Sequence, residues 1–134
     1  MTTTMKSSII QSQYVLMKTQ AKLKIAAILV ILLGSIHVCA TPVIFGLFDT
    51  YIKLDLTSVY MFVMTGVGLI FVGWLQYYIL KSGNYSIVLL RIIETSVLYN
   101  VISGIGAVAT MWNNPFAYIG LFIGFYEVVL LRYY

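Results

Sequence analysis

The sequence predicts an all-α membrane protein, a four-transmembrane-helix antiparallel bundle with both termini cytoplasmic, on three observations. First, of 134 residues 61% are hydrophobic and only 9% are charged, so the chain lacks the charged surface that a water-soluble domain of its size presents. So short a chain has too little interior to bury that much apolar side chain, and lipid must cover the remainder. Second, the apolar residues gather into four stretches, each close to the roughly 20 residues that cross about 30 Å of hydrocarbon as a helix. Third, the connections are short, which forces neighbouring helices to run antiparallel. Helices satisfy every backbone amide internally, as an open sheet in lipid cannot.

Residues 1–24 form a cytoplasmic N-terminal segment. Ile10, Tyr14 and Met17 have helical spacing suited to lying on the inner leaflet, the alternative being a disordered tail. Met17-Lys18 also offers an internal start position, which would make residues 1–16 an extension. Residues 25–134 form a single transmembrane domain. Its first span covers about 25–48, and Pro42 is expected to kink or end the regular helix near Cys39–Thr41. Val38-Cys39-Ala40 resembles a signal-peptidase site, but the apolar run continues through Pro42 to Phe48, so the segment reads as a retained span. A loop with Asp49, Lys53 and Asp55 leads to the second span, about 59–80. The polar turn Lys81-Ser82-Gly83-Asn84-Tyr85 precedes the third, about 86–109, and Trp112-Asn113-Asn114-Pro115 precedes the fourth, about 116–131.

Lysine and arginine set the orientation. Lys6, Lys18, Lys22 and Lys24 precede span one, Lys81 follows span two and Arg132 ends span four, whereas the opposite side carries only Lys53 beside two aspartates. Aromatic residues agree: Tyr77, Tyr78, Tyr85, Tyr133 and Tyr134 fall at the inner interface, and Tyr51, Tyr60, Trp112 and Tyr118 at the outer one. A bacterial cytoplasmic membrane is the expected location.

Composition also excludes chemistry. A net charge of +4 comes from few basic residues set beside apolar segments, so it reads as a topology signal and not as a nucleic-acid surface. The single cysteine, Cys39, allows neither an internal disulfide nor a Cys-x-x-Cys pair, and the single histidine, His37, cannot supply two axial ligands to a haem. The residues call for no cofactor, metal or catalytic group. Lipid is the expected partner, with a second copy or another membrane protein as a further one.

Ionisable groups inside a bilayer cost several kcal/mol unless paired or hydrated, which makes each a candidate for function. Glu94 in span three and Glu127 in span four both lie toward the cytoplasm, about three residues or roughly 5 Å from the midplane, an equal depth that contact between them would need but that leaves rotation about each helix axis open. Arg91 sits at i, i+3 from Glu94 and Gln76 arrives at a similar depth, so the four suggest one polar cluster. Glu127 has no cation within one turn on the membrane side, and so needs a partner from another helix or a bound proton. His37 shares a stripe with Ala27, Val30, Gly34 and Thr41, small enough for another helix to pack closely over the imidazole. Gly120 and Gly124 make a Gly-x-x-x-Gly pair whose face continues to Glu127 and points that carboxyl group inward. Ser96, Asn100 and Gly104 make a second close-packing face, and Gly66 and Gly73 belong to a glycine-rich second helix. The competing account is structural: such groups can fix helix register, and a single histidine can bond a backbone carbonyl.

Two runs carry a family resemblance. Gly34-Ser35-Ile36-His37-Val38-Cys39-Ala40-Thr41-Pro42, followed by residues 59–75 from Val59-Tyr60-Met61 through Gly66-Val67-Gly68 to Gly73-Trp74-Leu75, resembles the small bacterial four-helix proteins described as DoxX-like. The matched pattern is a helix-one histidine followed by Thr-Pro and then a glycine-rich second helix. It covers about the first half of the chain. The resemblance implies the fold. The wider group includes a membrane subunit of a thiosulfate:quinone oxidoreductase, which would imply a quinone-facing accessory role with His37 as the residue to test. With one cysteine, one histidine and no cofactor motif, this chain departs from any self-sufficient redox enzyme.

The sequence therefore reads as a small accessory or structural membrane component. The alternatives are a proton-coupled small-molecule transporter acting as an oligomer, with Glu94 and Glu127 as proton-binding groups and His37 near the pathway, and a quinone-associated subunit of a redox complex.

Overall fold

The computed structural model describes the backbone of residues 3–48, 56–83, 86–113 and 115–133, and the side chains of 16–41, 59–83, 86–113 and 115–133. Expectations resting on the side chains of Lys6, Ile10, Tyr14, Asp49, Tyr51, Lys53, Asp55, Tyr85 and Tyr134 lie outside the described residues. Four helices follow one another: α1 (Thr3–Phe48), α2 (Leu56–Ser82), α3 (Ile87–Thr110) and α4 (Pro115–Leu131).

Their ends have local causes. Gly83 follows α2 with φ 67°, the left-handed conformation that closes a helix and that glycine adopts without a Cβ penalty. Within the last turn of α2, the Gln20 side-chain amide donates to the Leu80 carbonyl at 2.7 Å, satisfying an oxygen that the helix itself leaves unpaired. Ser86 caps α3, its hydroxyl accepting from the Leu89 amide at 3.4 Å. Pro115 opens α4 at the one helical position where its missing amide costs nothing.

α1 ends at Phe48, where the expected first span also ends. It continues through Pro42 to Phe48, so the proline does not end it near Cys39–Thr41. A proline removes a single helical hydrogen bond, and packed apolar helices tolerate that loss. Toward the N-terminus the same helix runs through residue 24. Thr19 and Leu23 are already buried, and Leu23 shares a core cluster with Ile79, Leu80, Ile93, Val97 and Leu130.

Three segments are long and apolar enough to cross a membrane: Leu16–Thr41, Val59–Ser82 and Ile87–Thr110. α4 is apolar but has 17 residues, about 25 Å of helix. Polarity is distributed for lipid rather than water. Phe71, Trp74, Ile102 and Phe122 are exposed, whereas Gln76, Ser96, Asn100 and Glu127 are buried.

Each helix packs on two neighbours, α1 on α2 and α4, α3 on α4 and α2, with α1–α2 and α3–α4 the tightest pairs. Glycine explains both tight seams. A Cβ on Gly34 would lie 2.7 Å from the Gly66 carbonyl oxygen, and one on Gly73 2.8 Å from that of Ala27. Across the other seam, a Cβ on Gly104 would lie 2.6 Å from the Leu121 Cα, and one on Gly124 3.0 Å from the Val101 amide nitrogen. Small residues let helix backbones approach this closely, and in lipid such packing is a principal source of association. Along both seams rising numbers on one helix meet falling numbers on the other, so the neighbours are antiparallel. Gly120 is set apart: its Cβ position meets only the end of Leu33 on α1, at 3.2 Å.

Candidate functional site

Helical periodicity brings one carboxyl group to the interior. On α4 the buried residues are Ala117, Ile123, Gly124, Glu127 and Leu130, and on α3 they are Ile93, Ser96, Val97, Asn100 and Gly104. Spacings of three and four mark a single face of each helix. Glu127 is 1% exposed, with Asn100 at 3% and Gln76 at 2%. The Asn100 amide Nδ2 donates to Glu127 Oε2 at 2.8 Å, and Gln76 makes a second side-chain hydrogen bond to the same carboxyl group. Three helices thus contribute one residue each.

The cluster differs from the expected one. Glu94 and Glu127 do not face one another, because Glu94 lies six residues before Asn100 and therefore about 120° away around α3. Its partner is Arg91, whose Nη1 stands 2.8 Å from Glu94 Oε2 with the two side chains 73% and 52% exposed. Gln76 accordingly belongs with Glu127 and not with Arg91. Among the described residues Arg91–Glu94 is the only ion pair, so no described cation faces Glu127.

The amides carry an unused capacity. Asn100 Oδ1 and Gln76 Oε1 are both buried without a hydrogen-bond partner. An ionised carboxylate can only accept hydrogen bonds, whereas a protonated carboxyl group also donates one. Turning either amide by 180° exchanges its donor for its acceptor. The same three side chains can therefore serve the carboxyl group in both states.

His37 lies elsewhere. Ala27, Val30, Gly34 and Thr41 on its stripe are buried, and α2 packs over that face. The imidazole stacks on Phe62 with ring centres 3.6 Å apart and planes 20° from parallel. Among the described residues its Nε2 is buried with no hydrogen-bond partner. A cavity of about 630 Å³ between α2 and α3 is bounded by His37, Phe62, Thr65, Tyr99 and Ser103 among others, and a recess of about 50 Å³ behind it reaches Gly104 and Ala117. Ten residues of α4 separate Ala117 from Glu127, so the two polar features lie roughly 15 Å apart along the bundle.

A groove of about 550 Å³ also runs between α2 and α3 nearer to Glu127, with Leu75, Ser96 and Tyr99 in its wall and Arg91 at its edge. Tyr99 thus borders both openings. Its hydroxyl reaches the backbone of Gly68, where any Cβ would collide with it. Neither Gly68 nor Tyr99 was singled out by its sequence pattern, although Gly68 lies in the glycine-rich run of α2. A tyrosine in an apolar helix gives no sign that its hydroxyl meets a backbone across the seam.

Among the described residues no group of three or more His, Cys, Asp or Glu is placed to hold a metal ion. No family model matches the chain, and no curated protein or solved structure matches it either.

Proposed function

We propose that this chain is a four-pass protein of a bacterial cytoplasmic membrane that binds a proton at Glu127 and acts, as an oligomer, in proton-coupled transport of a small molecule. The observation that carries the reading is a carboxyl group 1% exposed and held by two neutral amides. A buried carboxylate without a cation costs several kcal/mol, and a proton removes the charge. Asn100 Oδ1 and Gln76 Oε1 stand ready to accept the hydrogen bond of the protonated acid. One four-helix chain is thin-walled for a pathway, so the reading includes a second copy.

This reading has both termini in the cytosol. Leu23, Leu80 and Leu130 share one cluster, so Lys18, Lys22, Lys24, Lys81 and Arg132 gather at one end of the bundle, as cytoplasmic flanks do. The short α4 completes the fourth crossing with Trp112 and Tyr133 beyond its ends. The DoxX-like resemblance of residues 34–42 and 59–75 is taken as a proposal of shared fold, without the quinone-linked activity.

Reconstitution in liposomes tests the function. With a pH dye trapped inside, addition of substrates from a panel of small lipophilic compounds is expected to move protons, and Glu127→Gln to abolish that movement. Flux unchanged in the variant removes Glu127 from the mechanism. The second reading is an accessory membrane component, favoured by the way hydrogen bonds to Glu127 tie α2, α3 and α4 into one register. It predicts that Glu127→Gln, which keeps the size and a hydrogen-bonding end, retains any co-purifying membrane partner.

A further inference from the structure

The groove between α2 and α3 opens outward and carries a single charge. Val88, Arg91 and Thr95 on its α3 side are exposed, on the surface that lipid covers. It extends along α3 from Val88 to Tyr99, a rise of about 16 Å. That is roughly half of the 30 Å hydrocarbon core, the depth of one leaflet. Its Val88 and Arg91 end is the lysine-rich end of the bundle, because Leu89 and Ile92 pack on the cluster that holds Leu23, Leu80 and Leu130. The hydroxyls in the wall are engaged: Thr95 Oγ1 donates to the Arg91 carbonyl and Ser96 Oγ to that of Ile92, both at 2.8 Å, and the Tyr99 hydroxyl lies against Gly68. Among the described residues that line the groove, Arg91 alone is charged. Its side chain is 73% exposed, and the pair with Glu94 engages Nη1. A guanidinium has five N–H donors, so donors remain for a second anion.

We propose that this groove holds one phospholipid with an anionic headgroup, taken from the leaflet at the lysine-rich end, with an acyl chain along the groove and the phosphate on Arg91. The volume of about 550 Å³ is that of a site for one small molecule, and its apolar length matches a chain that stays in one leaflet. Arg91 lies one turn inside the end of the groove, from where its long side chain reaches headgroup level. Charge selects the headgroup. Lys18, Lys22, Lys24, Lys81 and Arg132 stand at the same end, and Glu94 is the one exposed acid there among the described residues, so a net negative headgroup is favoured over a zwitterionic one. The proposal rests on the membrane-spanning reading and not on proton binding at Glu127.

The test uses the full chain in detergent micelles, titrated with palmitoyl-oleoyl phosphatidylglycerol or with phosphatidylcholine carrying the same chains, and native mass spectrometry counts the lipids bound. The expected result is one saturable phosphatidylglycerol per chain, bound about fivefold more tightly than phosphatidylcholine, the worth of one arginine beside an anionic headgroup. Arg91→Gln should bring the two lipids level, and Arg91→Lys should keep most of the preference. Lys81 does not line the groove, so Lys81→Gln removes an equal charge and should leave the preference unchanged. Thr95 is exposed midway along the groove, so Thr95→Trp should fold normally and abolish the saturable lipid of either kind. Glu127→Gln should bind as the parent does, which separates this outcome from the transport reading. Equal binding of the two lipids by the parent overturns the proposal. So does a preference that survives Arg91→Gln or falls as far in Lys81→Gln, and so does saturable binding that survives Thr95→Trp.

Discussion

Gly104→Ala is expected to destabilise the bundle, and the seam between α3 and α4 determines by how much. The added methyl group would lie 2.6 Å from the Leu121 Cα and 2.9 Å from its amide nitrogen. Carbon atoms pack best at about 3.5–4.0 Å, so the two helices must part by roughly 1 Å. The obstacle is backbone, which no side-chain rotation can relieve. Overpacking of this kind costs about 1–3 kcal/mol, offset by roughly 0.5–1 kcal/mol from replacing a helical glycine with alanine. A net loss of about 1–2 kcal/mol follows. Gly106 on the same helix supplies the control, because its Cβ position is open and Gly106→Ala should be neutral or stabilising by up to ~1 kcal/mol. Reversible unfolding in mixed micelles, followed by circular dichroism as denaturing detergent is added, measures both. A second consequence concerns Asn100, one turn from Gly104 and 2.8 Å from Glu127. If the seam opens, Asn100→Ala should cost less in the Gly104→Ala background than alone, a coupling of about 0.5 kcal/mol or more. Equal midpoints for Gly104→Ala and Gly106→Ala would refute the reasoning, since the two differ only in what their methyl groups meet.

The other expectations concern the polar residues. Glu127→Ala leaves the Asn100 and Gln76 amides without a partner and should cost about 1–3 kcal/mol in the same unfolding measurement, whereas Glu127→Gln should stay within ~1 kcal/mol of the parent; a reversed order would mean that the amides are not held by this carboxyl group. Arg91→Ala and Glu94→Ala should each change stability by less than ~0.5 kcal/mol, because exposed pairs contribute little; a loss above 2 kcal/mol in either would place the pair inside the bundle. Gln20→Ala removes the donor to Leu80 and should speed hydrogen exchange in the last turn of α2 by about tenfold, equivalent to one hydrogen bond, without altering α3. Fusing a reporter at Tyr134 should give cytoplasmic activity, and inserting it after Asn113 should not; the opposite pattern would invert the orientation read from the lysines.

The helices were legible in the sequence because lipid demands a long apolar run between polar turns, a signal that survives without knowledge of any partner. Bounds expected at 59–80, 86–109 and 116–131 compare with Leu56–Ser82, Ile87–Thr110 and Pro115–Leu131. Glu127 was also legible, since its spacing from Gly124 puts it on the close-packed side of α4. Rotation of α3 was not. In a helix that is apolar all round, hydrophobicity does not distinguish the face toward lipid from the face toward protein. Depth alone therefore left open whether Glu94 meets Glu127. The small polar residues Ser96 and Asn100 held the missing information, because they mark the side where Gly104 lets α4 approach, and Glu94 is not on it.

Two glycine-sealed pairs, α1 with α2 and α3 with α4, make up the molecule. What joins them at the α2–α3 seam is of a different kind. Gln76 reaches from α2 to Glu127 on α4, and the Tyr99 hydroxyl reaches from α3 to Gly68 on α2. Both larger openings lie along this seam. A movement that kept backbone contact at Gly34, Gly66, Gly73, Gly104 and Gly124 would have to be taken up between the two pairs, at this seam and at the α1–α4 one, and not at sealed backbones. Of the two contacts, that to Glu127 is a hydrogen bond, whose character changes when a proton is gained or lost. The carboxyl group thus sits where one proton alters how one pair is held to the other.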